Sequence, residues 1–325
     1  MDDPIPLLVV GAGPCGLAVG AAAREAGVGC VLLDRRTVVS TIERYPLNMT
    51  FFSTPERLEI GGIPFVTANE KPTRRDGLVY YRRVAERLGL DVRPGEEVTS
   101  IRREAEGFAV EVRRPFDTAT YRAGAVVVAT GYYDWPNRLG LPGEDLPHVS
   151  HYFTEGHRYW HRRVVVVGAG NSAVDAALEC WRAGARVTLV HFEDQLDRRV
   201  KPWVLPDITN RIKDGSIAVR WRTRVTAIGE RAVELDSGET LEADAVLLMT
   251  GYYADNSLLA GLGVPADPQT GVAAHETDTM ETPVSGCYIA GVIAGGRDSN
   301  RLFIENARQH GDLIVAHLTG VGRES

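Results

Sequence analysis

The apolar positions of this chain are laid out twice in the same order. Leu7 to Arg35 reads LLVVGAGPCGLAVGAAAREAGVGCVLLDR, and Val164 to Phe192 reads VVVVGAGNSAVDAALECWRAGARVTLVHF. The two stretches align without a gap. Each predicts a buried strand, a glycine-rich turn, an alanine-rich helix ending in Ala-Gly, and a second buried strand. Two further runs match each other. Val126 to Tyr133 reads VVVATGYY and Val246 to Tyr253 reads VLLMTGYY, each a strand ending in Thr-Gly. Phe108 to Arg113 and Arg220 to Ile228 alternate apolar and polar residues and predict antiparallel strands flanking each parallel sheet.

A glycine motif in full βαβ context points to a dinucleotide, and two in register point to two dinucleotides. Gly11 allows the tight turn, Gly13 lets the backbone approach a pyrophosphate, and Gly16 lets the helix pack close to the strand. The phosphates then sit on a helix N-terminus. Gly168 and Gly170 repeat this, with Ala173 at the third place. The expected fold is α/β, with two Rossmann-like dinucleotide-binding domains, the second inserted into the first. Residues 1–134 and 254–325 form the first, and 142–252 the second. Trp135 to Leu141, with Pro136 and Pro142, connects them. The chain returns through Cys287 to Gly291 and a last helix from about Arg301 to Leu318.

The ends of the second strands distinguish the copies. Asp34 stands where a carboxylate accepts from a ribose 2′-OH, which suits FAD or NAD and repels a 2′-phosphate. His191 takes the equivalent place in the second unit, with Arg198, Arg199 and Lys201 following. The first unit is therefore read as holding FAD and the second NADPH. Glu193 and Phe192 weigh against NADPH. Candidate FAD contacts are Gly11, Gly13, Pro14, Gly16, Asp34, Arg35, Thr130, Gly131, Gly291 and Val292. Candidate NADPH contacts are Gly168, Gly170, Asn171, Ser172, Ala173, His191, Arg198, Arg199, Thr250 and Gly251.

Composition narrows the class. A chain of 325 residues has room for about two domains. The opening MDDPIP runs into a core strand, so no signal peptide is expected. No apolar run approaches the roughly 18 residues of a membrane span. A net charge of −7 argues against general nucleic-acid binding. A cytoplasmic enzyme is expected, as a homo-oligomer (dimer or tetramer). Cys15, Cys30, Cys180 and Cys287 form no C-x-x-C or metal spacing, and no metal site is expected.

The architecture resembles the low-molecular-weight thioredoxin reductases along the whole chain. Those carry a Cys-x-x-Cys pair before the second glycine motif, where Ser150 to Glu155 here has no cysteine. A closer resemblance is to the bacillithiol disulfide reductases (YpdA-type flavoproteins), which lack that pair. It rests on GAGPCGL at Gly11, MTFFSTPE at Met49, NEKPTRR at Asn69, LPHVSHYFTEGH at Leu146, VKPWVLPD at Val200, CYIAGVIAGG at Cys287 and FIEN at Phe303. The resemblance implies FAD, NADPH and reduction of bacillithiol disulfide, a low-molecular-weight thiol disulfide. It also places the proposed redox cysteine at Cys15. Relatives often carry arginine where this chain has Phe192.

Two readings of Cys15 stand: a redox thiol, or a small residue packing a crowded turn. A helix start lowers a thiol pKa and a neighbouring pyrophosphate raises it, so the sign is open. Where thioredoxin reductases end a strand in Ala-Gly-Asp, this chain has Ala290-Gly291-Val292, so backbone groups there must do more. The last helix is expected to aim its N-terminus at the flavin. Met49 to Thr54 suits a flavin wall or a core loop equally, while Trp160 and Trp203 could stack on nicotinamide or substrate, with a core role preferred. The alternatives are a ferredoxin or flavodoxin NADP reductase, a flavin monooxygenase and a non-catalytic flavin redox sensor.

Overall fold

The computed structural model describes residues 3–298 and 301–320. The first repeat forms β1 (Ile5–Val10), α1 (Pro14–Glu25) and β2 (Cys30–Asp34). Short helices α2 (Ser40–Glu43) and α3 (Pro55–Leu58) lead to α4 (Arg74–Leu88). Strands β3 (Asp91–Pro94), β4 (Glu97–Arg103), β5 (Phe108–Arg113) and β6 (Thr118–Val128) follow. The next stretch holds β7 (Val149–Ser150), the second repeat β8 (Arg163–Val167), α5 (Asn171–Arg182) and β9 (Arg186–Val190), and then α6 (Leu205–Lys213). It closes with β10 (Ile217–Arg220), β11 (Val225–Ile228), β12 (Ala232–Leu235), β13 (Thr240–Glu242) and β14 (Ala245–Leu248). The chain ends through α7 (Ser257–Gly261), β15 (Cys287–Ile289), α8 (Ile304–Ala307) and α9 (His310–Thr319).

The chain divides into two compact units. One takes in the chain to Arg44, Met49–Trp135 and everything from Tyr252 on. The other takes in Pro136–Gly251 together with Tyr45–Asn48. That last segment was not foreseen. Leu47 N–H donates to Thr154 O at 2.9 Å, which ties it to the second unit.

In the first unit the sheet runs β3-β2-β1-β6-β5-β4, with β15 also on β6. β1 lies parallel to β2 and β6, with Leu8 opposite Val31 and Val126. The stretches 7–10, 31–33 and 125–128 of these strands are apolar because both faces are covered there. Leu7, Leu8 and Val9 are fully buried. β4 and β5 pair antiparallel, as the alternation at Phe108 to Arg113 predicts. α4 begins at a capping box. Thr73 Oγ1 accepts from Asp76 N–H at 3.2 Å and Asp76 Oδ2 accepts from Thr73 N–H at 2.9 Å.

In the second unit a five-stranded parallel sheet runs β10-β9-β8-β14-β7, beside a three-stranded antiparallel sheet β11-β12-β13. Arg220 to Ile228 is therefore not one strand. Arg220 ends β10 in the parallel sheet, and Arg222 at φ +53° turns the chain before β11. The last helix is likewise two pieces, α8 and α9, with Arg308 and Gln309 between them. α9 packs so closely on α1 that a Cβ at Gly311 would lie 2.6 Å from Ala18 O. Trp160 and Trp203 are exposed, against the expectation of a core role.

Candidate functional site

The two repeats build the same turn in detail. Gly11 takes φ +110°, and a Cβ on it would meet Ala129 O at 2.5 Å. Gly168 takes φ +125°, and a Cβ there would meet Met249 O at 2.4 Å. Ala129 and Met249 directly follow β6 and β14, so each glycine turn passes tightly over the neighbouring strand end. At Gly13 and Gly170, which cap α1 and α5, an added Cβ would meet nothing within 4 Å. Neither cap has a side-chain hydrogen bond to the first turn. Each twelve-residue helix thus opens on free N–H groups under clear space. This is what a pyrophosphate requires. Pro14 sits in the first turn of α1, and Ser172 lies exposed in that of α5.

The third position differs between copies. A Cβ at Gly16 would lie 2.0 Å from Gly11 O, so only glycine fits. Ala173 fills that place in the second turn and is fully buried.

Asp34 stands at the end of β2, as expected. Its Oδ2 accepts from Ala12 N–H at 3.0 Å and its Oδ1 from Arg36 N–H at 2.9 Å. The carboxylate therefore braces the glycine turn. Burial pushes its pKa up, against the pull of these hydrogen bonds, Ser40 and Arg35. Arg35 and Arg44 both pair with Asp134 just past the Thr130-Gly131 end. Gly131, at φ +75°, faces Val292, whose methyl lies 3.9 Å from the place of a Cβ. The first unit thus brings Gly11, Gly13, Cys15, Gly131, Gly291 and Val292 around one turn.

Cys15 is buried, and burial pushes its thiol up to about 12. Burial therefore favours the neutral form of this thiol. Cys180 and Cys287 are buried, and Cys30 is half-buried at the start of β2. Burial pushes all three up as well. Among the described residues no group of His, Cys, Asp and Glu could hold a metal.

In the second unit the end of β9 opens on a groove of about 760 Å³. Its walls carry Phe192, Glu193, Asp194, Asp197, Arg198, Arg199 and Arg222. His191 is buried beside it, with Nε2 lacking a hydrogen-bond partner and 3.7 Å from Glu193. Burial lowers its pKa, so the ring is neutral near pH 7. The arginines are not equivalent. Arg199 pairs with Asp197 at 3.0 Å, and Arg222 with Asp194 at 2.8 Å. Arg198 is exposed, with no carboxylate partner among the described residues.

Sequence reasoning missed what holds this region. Asn171 donates from Nδ2 to Arg199 O at 3.0 Å and accepts at Oδ1 from Lys201 N–H at 2.8 Å. Lys201 Nζ reaches Asp175 at 2.7 Å. The 197–201 loop is thereby latched to the first turn of α5, and Asn171 is spent on the latch. Asn137 does the same for Thr250 and Gly251. It donates to Thr250 O at 3.1 Å, while Thr250 Oγ1 donates to Asn137 O at 2.6 Å. A separation of 113 residues hides that pair from any local pattern.

Comparison with known proteins agrees with this geometry. Residues 8–291 match the family model described as pyridine nucleotide-disulphide oxidoreductase. The bacilliredoxin reductase Bdr of Bacillus subtilis (strain 168) is 42% identical over 316 residues, 96% of each chain. The solved bacillithiol disulfide reductase Bdr (YpdA) of Bacillus cereus superposes with a TM-score of 0.96 at 40% identity, covering 98% of this chain and 99% of that one. A thioredoxin reductase of T. acidophilum has a TM-score of 0.77 at 23% identity over 98% of this chain and 99% of its own, which shows the shared fold.

Proposed function

The chain belongs to the pyridine nucleotide-disulphide oxidoreductase family, and within it to the Bdr (YpdA) reductases; from that premise we propose that it reduces bacillithiol disulfide with electrons from NADPH by way of FAD. A flavin and a nicotinamide cofactor go with that family, and the chain is an oxidoreductase. The observation that carries the finer reading is the content of the first turn. A single thiol, Cys15, stands one residue inside the helix start that Gly13 leaves open, with Gly291 against its sulfur. A Cβ on Gly291 would come within 3.0 Å of Cys15 Sγ.

FAD, when bound, supplies a two-electron carrier between the nicotinamide and the disulfide. Gly11, Gly13 and the first N–H groups of α1 would hold its pyrophosphate, and Asp34 its ribose. Gly168, Gly170 and the start of α5 would hold the second pyrophosphate, with Arg198 and Arg199 near a 2′-phosphate. Cys15 gives up its proton and attacks one sulfur of the disulfide, releasing one thiol and forming a mixed disulfide. Two electrons and two protons delivered to that bond restore the Cys15 thiol and free the second thiol. The buried, neutral state of Cys15 supports a second reading in which it only packs the turn and the disulfide is reduced without it.

The same reading puts the enzyme in the cytoplasm as a homo-oligomer. Among the described residues no helix is long and apolar enough to cross a membrane. The test is NADPH oxidation by purified protein with bacillithiol disulfide, oxidised bacilliredoxin or ferredoxin as acceptor. The proposal expects bacillithiol disulfide to be preferred. Ferredoxin as the preferred acceptor would replace it with a ferredoxin–NADP reductase.

A further inference from the structure

β15 leads straight into Ala290-Gly291-Val292, and a buried histidine at the start of α9 meets that segment. Gly291 N–H donates to His310 Nδ1 at 3.1 Å, and this hydrogen bond is buried. Gly291 takes φ +85°, a conformation open to glycine and strained for other residues. Its bare Cα face is where the Cys15 side chain lies, since a Cβ there would come 2.8 Å from Cys15 Cβ. His310 is itself fixed. It opens α9, and the next residue, Gly311, presses on the backbone of α1 at Ala18. The contacts close a ring: Cys15 on α1, Gly291, His310 on α9, and back to α1.

The ring also sets the state of the imidazole. An Nδ1 that accepts from a backbone N–H carries no hydrogen, so His310 is the Nε2–H tautomer. Burial holds its pKa down at about 4, with His275 adding to the effect. His275 spends its own Nδ1 on Ala273 O at 2.7 Å. Neutral His310 therefore keeps the acceptor that Gly291 needs and is too weak a base to deprotonate a thiol.

We propose that His310 is a positioning residue for Cys15: its Nδ1 holds Gly291 in the left-handed conformation that leaves room for the Cys15 sulfur beside the first dinucleotide turn. The consequence for turnover rests on the redox reading of Cys15; the placement of the thiol does not.

The experiment compares His310→Asn with His310→Leu in the full-length, FAD-loaded protein. Asparagine offers an amide oxygen near the place of Nδ1, and leucine offers no acceptor. Three quantities are read: flavin bleaching by NADPH, turnover of bacillithiol disulfide, and the rate at which iodoacetamide labels Cys15. His310→Leu is expected to lower disulfide turnover by about tenfold or more, the scale of one lost buried hydrogen bond, and to change Cys15 labelling. Flavin bleaching should stay near wild type, and His310→Asn should bring both turnover and the labelling rate most of the way back to wild type. Equal impairment of the two variants, or none in His310→Leu, overturns the proposal. If Cys15→Ala turns over normally, the redox reading fails instead, and the labelling comparison still decides the placement. Should His310→Leu not fold, ¹⁵N-histidine NMR of the wild type replaces it. A bare Nδ1 on His310 across about pH 5 to 8 supports the proposal, and a hydrogen on Nδ1 overturns it.

Discussion

Gly16 has no room for a side chain, because a Cβ there would sit 2.0 Å from Gly11 O in the same turn. Gly16→Ala should therefore push α1 off β1 and give protein that is colourless or insoluble. Ala173→Gly, at the matching place, removes only a methyl and should cost about 1 kcal/mol of stability. Visible absorption and thermal melts of the two variants check this pair. Cys15→Ala should behave differently from either. The turn binds phosphate through backbone N–H groups, so flavin should be retained and its bleaching by NADPH unchanged. Turnover of bacillithiol disulfide should fall by orders of magnitude, and undiminished turnover would assign Cys15 to packing. His310 makes a prediction about pH. Its folded pKa, about 4, lies below the ordinary 6.5. The unfolded chain therefore takes up the proton first, and stability present above pH 6.5 is lost as pH falls toward 4. His310→Asn should lack that part of the acid slope, which melts at a series of pH values would reveal.

At the scale of elements, two local devices carry testable weight. The capping box that starts α4 is readable as Thr73-x-x-Asp76 ahead of an amphipathic helix. Thr73→Ala should cost about 1 kcal/mol of stability and leave the cofactor sites alone. The 197–201 loop bears on cofactor choice. Arg199 is held by Asp197, so part of its charge is already neutralised within the loop. Asp197→Ala should remove that neutralising charge and lower the apparent KM for NADPH severalfold while sparing NADH, the worth of about one charge-assisted hydrogen bond. Arg198→Ala should move the NADPH value the other way. Steady-state kinetics with both nucleotides decide it; no change in either variant would take the 2′-phosphate away from this loop.

Over the whole molecule, what could be read from sequence is what short-range geometry dictates. The glycine turns, the paired strands and the Thr-Gly ends follow from periodicity and backbone sterics, and these place most of the first site. The rest depends on partners far apart in the chain. Asn137 on Thr250, Gly291 on His310 and Tyr45–Asn48 within the second unit leave no local trace. Size and apolarity state a preference of Trp160 and Trp203 for the core, yet both are exposed. Cys15 shows a third limit, since its protonation turns on burial that only packing reveals. The central claim is that electrons entering as NADPH leave as thiols, and its most direct measurement is an anaerobic stoichiometry. Purified, FAD-loaded protein is mixed with bacillithiol disulfide and a limiting amount of NADPH, and free thiols are counted as absorbance of the nucleotide disappears. The account predicts two thiols released for each NADPH consumed. NADPH that remains unconsumed without oxygen, or that disappears with no thiol formed, would contradict it.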